Sequence, residues 1–426
     1  MALTAAAVPL WGQLSLLDEC RGRVEQALSH VARGSNRDTQ YQMQLEAALG
    51  LSLFHTKGPV RETGAAWTRA LLIADRLEET EYQLRALWGL WSYRMSSGEY
   101  RAALGFAERF RGLTAKRPDP AARLIADRMI GSMRLYMGDQ TNARRHIERM
   151  LSRYADPLHR SDTIRFVWDQ RVVGEIILAL ILWLQGFPDQ AMGIVQRTIE
   201  RAQASDRAIS LCYTLARAAC PVALWVGDLA AAERYVSMLL DDSAKLAMAV
   251  WQAEGRCFKG MLLIKSGRDD TGLRLLRTAL DELRETGSVL SESAFLCALA
   301  EGLASTGQVA EGLAAVEEAL ERSERSEGRW CIAELLRVKG ELILLASAVE
   351  AVGEAEDHFR QALDWAGRQG ALSWELRAAT SLARMWRDQG RGKDARELLT
   401  PVFGRFTEGF DTADLNAAKV ILDSLQ

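Results

Sequence analysis

Residues that could bind a metal or act in catalysis are few in this chain, and they are not grouped. The five histidines form no HExxH motif and no close pair; they are His30, His55, His146, His159 and His358. A zinc site needs several ligands at a regular spacing, so we interpret these histidines as surface or helix-end residues. The sequence therefore predicts no metal site and no cofactor.

Neither the two Asp–Asp pairs nor the Gly–Lys–Asp segment forms a known catalytic or phosphate-binding motif. Asp241-Asp242 and Asp269-Asp270 stand at predicted helix ends or starts, where aspartate suits helix capping and the helix dipole. Gly392-Lys393-Asp394 lacks both the earlier glycine and the hydroxyl residue of a phosphate-binding loop. These features favour a protein that is not an enzyme.

The cysteines and the net charge indicate the redox compartment and the classes of partner. The six cysteines have no CxxC spacing and mostly fall in apolar segments, so we predict buried free thiols in a reducing cytoplasm. The net charge is −3, from 53 basic and 56 acidic residues, which favours neither nucleic acid nor an anionic membrane as a partner. The longest purely apolar run, Ile176–Leu184, has 9 residues and is too short to span a bilayer.

The elements that must position any site follow a fixed period. Gly227, Gly267 and Gly307 are 40 residues apart, and each ends an apolar segment. A small residue follows five positions later and a leucine thirteen positions later. A turn and two helical patterns in about 40 residues are typical of a helical-repeat solenoid. The small residue then allows two helices to approach closely, and the glycine takes a turn conformation that other residues resist.

The same register extends over most of the chain. The turn glycines are Gly58, Gly98, Gly138, Gly186, Gly227, Gly267, Gly307 and Gly390. The small positions are Ala103, Ala143, Ala191, Ala232, Gly272, Gly312, Ala355 and Ala395. One further turn, without its glycine, is expected near Glu350. We predict an all-α, TPR-like α-solenoid of about nine to ten antiparallel helix pairs. It forms one continuous unit over 1–426, with N-terminal helices in 1–57, repeats in 58–403 and a capping helix in 404–426.

Charged residues recur at two positions before the turns, in the first helix of each pair. Position −13 holds Arg85, Arg337 and Arg377, and position −11 holds Asp127, Glu175, Arg256 and Lys339. In two-helix solenoids the first helices line the concave face, so these residues are candidates for binding a ligand or partner. The alternative is a ladder of ion pairs between helices, and the sequence does not decide between the two.

Two other regions are candidates for interaction. The first helix, predicted from Pro9 to about Ala32, has an apolar side with Trp11, Leu14 and Leu17. Because no repeat precedes it, we expect this side to dock another domain or a second copy of the chain. The polar connection Ala155–Arg165 is longer than its counterparts and is a further candidate.

Several stretches resemble a known family. They are RFVWDQR (Arg165–Arg171), LWLQGFPDQAM (Leu182–Met192), GDLAAAERYV (Gly227–Val236), RWCIAELLRVKGELILL (Arg329–Leu345), SWELRAATSLARMWRDQGR (Ser373–Arg391) and FTEGFDTADL (Phe406–Leu415). They look like the C-terminal TPR-like region of bacterial STAND regulators, in which a winged-helix or cyclase domain and an NB-ARC-like ATPase precede the repeats.

This resemblance implies a non-enzymatic sensor that holds an upstream ATPase inactive until a ligand binds. The motifs are structural, and no catalytic residue of the family's ATPase or cyclase lies within them. We therefore expect the chain to be the sensor part alone, from a truncated protein or a split gene. The alternative is a free-standing scaffold that binds a peptide or protein in its concave groove. Neither hypothesis includes direct contact with nucleic acid or a membrane.

Overall fold

The computed structural model describes residues 1–13, 16–30, 36–115, 119–154, 169–204, 208–246, 248–346 and 351–425. These residues form 21 helices and no strand, so the all-α prediction is confirmed. In chain order the helices are α1 (Ala2–Gln13), α2 (Leu17–Ser29), α3 (Asn36–Lys57), α4 (Arg61–Arg76), α5 (Thr80–Ser96), α6 (Tyr100–Ala115), α7 (Pro120–Tyr136), α8 (Gln140–Arg153), α9 (Gln170–Leu184), α10 (Pro188–Ala204), α11 (Ala208–Val226), α12 (Leu229–Lys245), α13 (Ala249–Lys265), α14 (Asp269–Glu285), α15 (Glu292–Ser305), α16 (Val309–Ser326), α17 (Ile332–Leu345), α18 (Ala351–Gln369), α19 (Leu372–Asp388), α20 (Gly392–Phe403) and α21 (Ala413–Ser424).

The helices pack as consecutive pairs, from α3 with α4 to α19 with α20. All eight predicted turn glycines have positive φ, between 75° and 87°, which confirms their role as left-handed turn residues. All eight small positions are buried. A Cβ on Gly272 would lie 2.8 Å from the Gly260 carbonyl oxygen, so the small residue is required for close approach of the two helices of a pair.

The N-terminal prediction is wrong in one respect. The expected single helix from Pro9 to about Ala32 is two helices, α1 and α2. The Leu16 amide donates a hydrogen bond to the Trp11 carbonyl, and Asp18 and Glu19 occupy the first turn of α2. Two other predictions, the connection Ala155–Arg165 and the turn near Glu350, lie outside the described residues.

The superhelix turns tightly enough for its N-terminal half (α1 to α11) to touch its C-terminal half (α12 to α21). Backbone carbonyls at the C-terminal ends of α5, α7, α9 and α11 accept hydrogen bonds from residues of the C-terminal half, and we call this set of contacts the seam. The four acceptor–donor pairs are Ser96 with the Val289 amide (3.0 Å), Tyr136 with the Trp330 amide (3.2 Å), Trp183 with the Ser373 hydroxyl, and Trp225 with Arg377 Nη2 (3.2 Å). Carbonyls at a helix C-terminus lack partners within their own helix, so the seam satisfies them from the other half of the molecule.

An aromatic cluster fills the interior beside the seam. The Trp183 ring centroid lies 4.5 Å from that of Trp225 and 4.7 Å from that of Trp374. Arg377 lies over the rings of Trp183 and Trp374, at 5.4 Å and 5.0 Å. Because these rings come from both halves, their packing and the seam hydrogen bonds stabilise the same closed arrangement.

Helix α11 is long and apolar and passes through the core. Its length and composition alone would suit a membrane span, but 89% of its most apolar stretch is buried within the protein, as a core helix also requires. Residues Leu215–Ala219 form a π-helical turn within it. Pro221 explains this turn, because proline has no amide hydrogen to donate to the Arg217 carbonyl four residues earlier, and its ring crowds that carbonyl.

Candidate functional site

The charged residues at position −11 each contact an adjacent helix. Asp127 accepts a hydrogen bond from His146 on α8 at 2.7 Å, and Glu175 lies 3.3 Å from Arg201 on α10. Arg256 binds Glu282 on α14 at 2.7 Å, and Lys339 lies 3.1 Å from Glu317 on α16. The recurrence predicted from the sequence is real, but these contacts direct the charges to neighbouring second helices rather than to a shared groove.

The residues at position −13 have three different environments. Arg85 makes an ion pair within its own helix, with Glu81 at 2.8 Å. Arg337 and Arg377 both bind the buried Glu334, each at 2.8 Å. Burial alone would raise the pKa of Glu334, but the two guanidinium groups lower it to about 2. These contacts favour the ion-pair interpretation, and a role in ligand binding for the seven residues stays a prediction.

The predicted docking side is only partly exposed. Trp11 packs against the small core formed with α2 and α3, and Leu17 is half-buried, while Leu14 lies outside the described residues. Among the described residues of this region, the exposed large apolar side chains are instead Leu3 and Leu16, with 88% and 47% of their surface accessible, together with Leu10. Docking through this end of the molecule stays a prediction.

A cavity of about 100 Å³ lies where α3, α5, α7, α11 and the start of α13 come together. Trp88 and Trp91 of α5 and Trp251 of α13 form much of its apolar wall. The segment from Thr286 to Leu290, which enters the seam through Val289, closes one side. The cavity therefore lies between the two halves of the superhelix.

The charged residues of this cavity are basic. Its described lining includes Lys57, Arg128 and Arg217, and no aspartate or glutamate. Arg217 Nη2 lies 2.8 Å from Glu254 Oε1, and this ion pair neutralises its charge. Arg217 Nη1 donates a hydrogen bond to the Ser291 hydroxyl at 2.6 Å. The π-helical turn of α11 carries Arg217, and such turns are frequent at functional sites.

Arg128 differs from the other buried cations because none of the acidic residues that the structure describes pairs with it. Its side chain is buried, with 2% of the residue exposed, and lies over the Trp91 ring at 4.7 Å. Its Nε is buried and makes no hydrogen bond, and no carboxylate in the described ranges forms an ion pair with it. Burial lowers the pKa of Arg128 to about 10, so the guanidinium remains charged at neutral pH.

Sequence reasoning missed Arg128 and Arg217, although both left a signal. Arg128 lies on the buried face of α7, four residues after Leu124 and seven before Leu135. Arg217 interrupts an apolar stretch of α11 that also contains Pro221. A basic residue on the apolar side of a helix needs a partner or a ligand, and that test was available from the pattern alone.

The six cysteines are buried free thiols, as predicted. Burial raises the pKa of Cys331 to about 12, which keeps this thiol protonated and unreactive. Within the described residues, no group of three or more His, Cys, Asp or Glu side chains is arranged to hold a metal ion.

The fold and the internal cavity define a TPR-like superhelical repeat protein. No family model matches the chain. A curated relative, an uncharacterized protein of Rhizobium meliloti (strain 1021), is 25% identical over 396 residues, covering 90% of this chain and 38% of its own length. The chain thus spans well under half of that relative.

Solved structures share the fold at low sequence identity. A Rap protein complexed with Competence and Sporulation Factor aligns with a TM-score of 0.51 and 12% identity, over 81% of this chain and 99% of the Rap chain. A STAND protein with a tetratricopeptide repeat sensor from Pyrococcus horikoshii aligns with a TM-score of 0.41 and 13% identity, over 92% of this chain and 55% of its own. The first similarity supports the TPR-like fold.

Proposed function

We propose that this chain is a non-enzymatic, cytoplasmic sensor module that controls the ATPase region of a STAND-type regulator. The family resemblance of its helical motifs supports this proposal. The length of the Rhizobium meliloti relative is compatible with it, because the matching region is one part of a much longer protein there.

The observation that carries the proposal is the seam. Four helix ends of the N-terminal half are capped by residues of the C-terminal half, and one of these contacts joins Trp183 to Ser373 across 190 residues of sequence. Such contacts form together or break together, which gives the superhelix a closed and an open arrangement. A ligand that contacts both halves binds the closed arrangement more tightly and shifts the population towards it.

A reconstitution experiment tests this function. The proposal expects a STAND-type ATPase region in the same protein or in an adjacent gene; that region is purified, and its ATP turnover is measured alone and with the chain added. We expect the unliganded chain to bind the ATPase and suppress turnover. Unchanged turnover together with no complex would contradict the regulator hypothesis.

A seam variant sharpens the same experiment. Ser373→Ala removes the hydroxyl that bonds to the Trp183 carbonyl, whereas the control Ser266→Ala removes a hydroxyl that bonds only within its own helix, to Leu262. If the open seam is the inhibitory arrangement, Ser373→Ala suppresses turnover at least as strongly as wild type. Relief of suppression by Ser373→Ala but not by Ser266→Ala would reverse that assignment.

A second candidate is a free-standing scaffold for a peptide or protein. It is favoured by the similarity to the Rap protein, whose structure contains a bound factor and which this chain matches over 99% of the Rap length. The scaffold hypothesis predicts specific binding of a peptide or protein without any effect on an ATPase. The reconstitution experiment therefore separates the two.

A further inference from the structure

We propose that the cavity between the two halves binds a carboxylate, held by Arg128, with the apolar part of the ligand against the tryptophan walls. The proposal deepens the sensor function by naming the chemistry of its ligand. It rests on that function only for the claim that the ligand is a signal. Binding itself is argued from the cavity and is tested separately from any effect on an ATPase.

The charge of the site favours an anion. Arg128 is almost fully buried and has no acidic partner among the described residues. A buried cation without a partner is strongly unfavourable in a folded protein. Glu254 already neutralises Arg217 and Lys57 is exposed to solvent, so the buried charge that no described carboxylate compensates is that of Arg128, and a monoanion would balance it.

The shape of the guanidinium group and the apolar wall determine which anion fits. A guanidinium offers donors in a planar fork, which matches the two oxygens of a carboxylate. The wall contains Trp88, Trp91 and Trp251, together with aliphatic side chains such as Val250 and Leu290. An inorganic anion would leave this apolar surface empty, whereas an acid with a short hydrocarbon part would cover it.

The volume of the cavity limits the size of the ligand. The cavity of about 100 Å³ is smaller than an engineered cavity of about 150 Å³ that accepts benzene. By the same proportion it holds about four non-hydrogen atoms, so it takes the carboxylate and the adjoining carbon atoms of a short branched acid. The exposed Lys57 also lines the cavity, so a longer molecule can extend past it into solvent. The carboxylate can therefore come from a free acid or from the C-terminus of a peptide.

The cavity is linked to the seam, because residues of both halves line it. Arg128 is on α7 and Trp91 on α5, in the N-terminal half, whereas Trp251 is on α13 and Leu290 follows the seam residue Val289. A ligand in the cavity contacts both sets and so favours the closed arrangement. Ligand binding should slow amide hydrogen exchange in the segment 286–290, because this segment closes over the ligand.

Calorimetric titration of the full chain tests the proposal with isovalerate and its uncharged analogue isovaleramide. We expect isovalerate to bind at least about tenfold more tightly than isovaleramide, because only the acid makes charge-assisted hydrogen bonds. Equal affinities for the two, or no binding of either probe or of the peptides below, would overturn the proposal.

The matched variants are Arg128→Met and Arg145→Met, which remove one arginine each from a buried and an exposed position. Arg128→Met should lose the preference for the acid while melting no lower than wild type, because it removes an unpaired buried charge. Arg145→Met should bind as wild type does. Retention of the acid preference in Arg128→Met would overturn the assignment. If Arg128→Met does not fold, Arg128→Lys decides, because it keeps the charge but not the fork and should weaken the preference.

Two peptides distinguish the sources of the carboxylate. One is an acetylated hexapeptide ending in leucine with a free carboxylate, and the other is the same peptide as its C-terminal amide. Tighter binding of the peptide acid than of both its amide and isovalerate identifies a chain terminus as the ligand. A preference for isovalerate over both peptides identifies a free small acid.

Discussion

The turn glycines of the two halves have the same conformation but different surroundings. A Cβ on Gly58 would lie 2.6 Å from the Thr286 carbonyl oxygen, and one on Gly186 would also meet atoms of the C-terminal half. Around Gly267 and Gly307, the described residues place no atom within 4 Å of such a Cβ. The repeat sequence thus determines the turn, whereas the path of the superhelix determines whether that turn becomes an internal contact.

The difference indicates where sequence changes are tolerated. In the C-terminal half, the turns at Gly267 and Gly307 require only a residue that can adopt the left-handed backbone conformation. In the N-terminal half, the corresponding turns must also fit a surface that lies far away in the sequence. The following substitutions measure how much of the stability depends on this second requirement.

The largest effect is expected at the centre of the aromatic cluster. Trp183→Ala should lower the free energy of unfolding by about 3–5 kcal/mol, the range for removing a large buried aromatic side chain. Trp183 is 2% exposed and contacts rings of both halves. The control is Trp365→Ala, because Trp365 is only partly buried and lies at the edge of the core. Similar losses in urea denaturation for both variants would show that the cluster does not join the halves.

The ion pairs beside the seam should give the next largest effect. Glu334→Gln leaves Arg337 and Arg377 without their shared carboxylate and should cost about 3 kcal/mol at pH 7, as expected for a broken buried pair. The control Glu282→Gln affects only the half-exposed pair with Arg256 and should change stability little.

The pH dependence of Glu334 has a defined direction. Its pKa falls from the ordinary 4.5 to about 2 in the folded protein. The ionised form therefore stabilises the fold above pH 4.5, and this contribution is lost as the pH falls towards 2. The difference in melting temperature between wild type and Glu334→Gln should shrink over that interval. A difference that is constant from pH 7 to pH 2.5 would contradict this assignment.

One turn glycine from each half measures what the contact between the halves costs on substitution. Gly58→Ala and Gly307→Ala should each cost about 1–2 kcal/mol, because both residues have left-handed backbone. Gly58→Ala should cost a further 1–3 kcal/mol or so, since its methyl group would meet the Thr286 carbonyl. Equal midpoints of chemical denaturation for the two variants would show that the contact opens without loss of stability.

Local features could be predicted from the sequence because each is fixed within one repeat. The positive φ of the turn glycines and the burial of residues such as Ala232 and Gly272 follow from the period. The seam could not be predicted in this way. Ser96 and Val289 meet only because the pitch of the superhelix brings them together, and pitch accumulates from small rotations between many repeats.

The candidate site shows the same limit. The repeat register places Asp127, Glu175 and Arg256 at equivalent positions, but it does not indicate which side of the first helix those positions face. Their contacts to the second helix of the pair are set by the rotation of each helix about its axis. The pattern of α7 could place Arg128 on its apolar side, but only the fold shows that no described carboxylate pairs with it.

The smallest effect is expected for Arg256, which separates the two explanations of the recurrent charges. Arg256 and Glu282 are 34% and 39% exposed, and such a pair contributes about 0–1 kcal/mol because water screens it. Arg256→Ala should therefore leave the melting temperature almost unchanged, whereas Arg337→Ala should lower it clearly, since Arg337 is 12% exposed and binds Glu334. If Arg256 only links two helices, Arg256→Ala also leaves isovalerate binding and ATPase control as in wild type. Loss of ATPase control with unchanged stability would instead assign a partner-binding role to Arg256. It would then favour the hypothesis that the charged residues at position −11 line a binding groove.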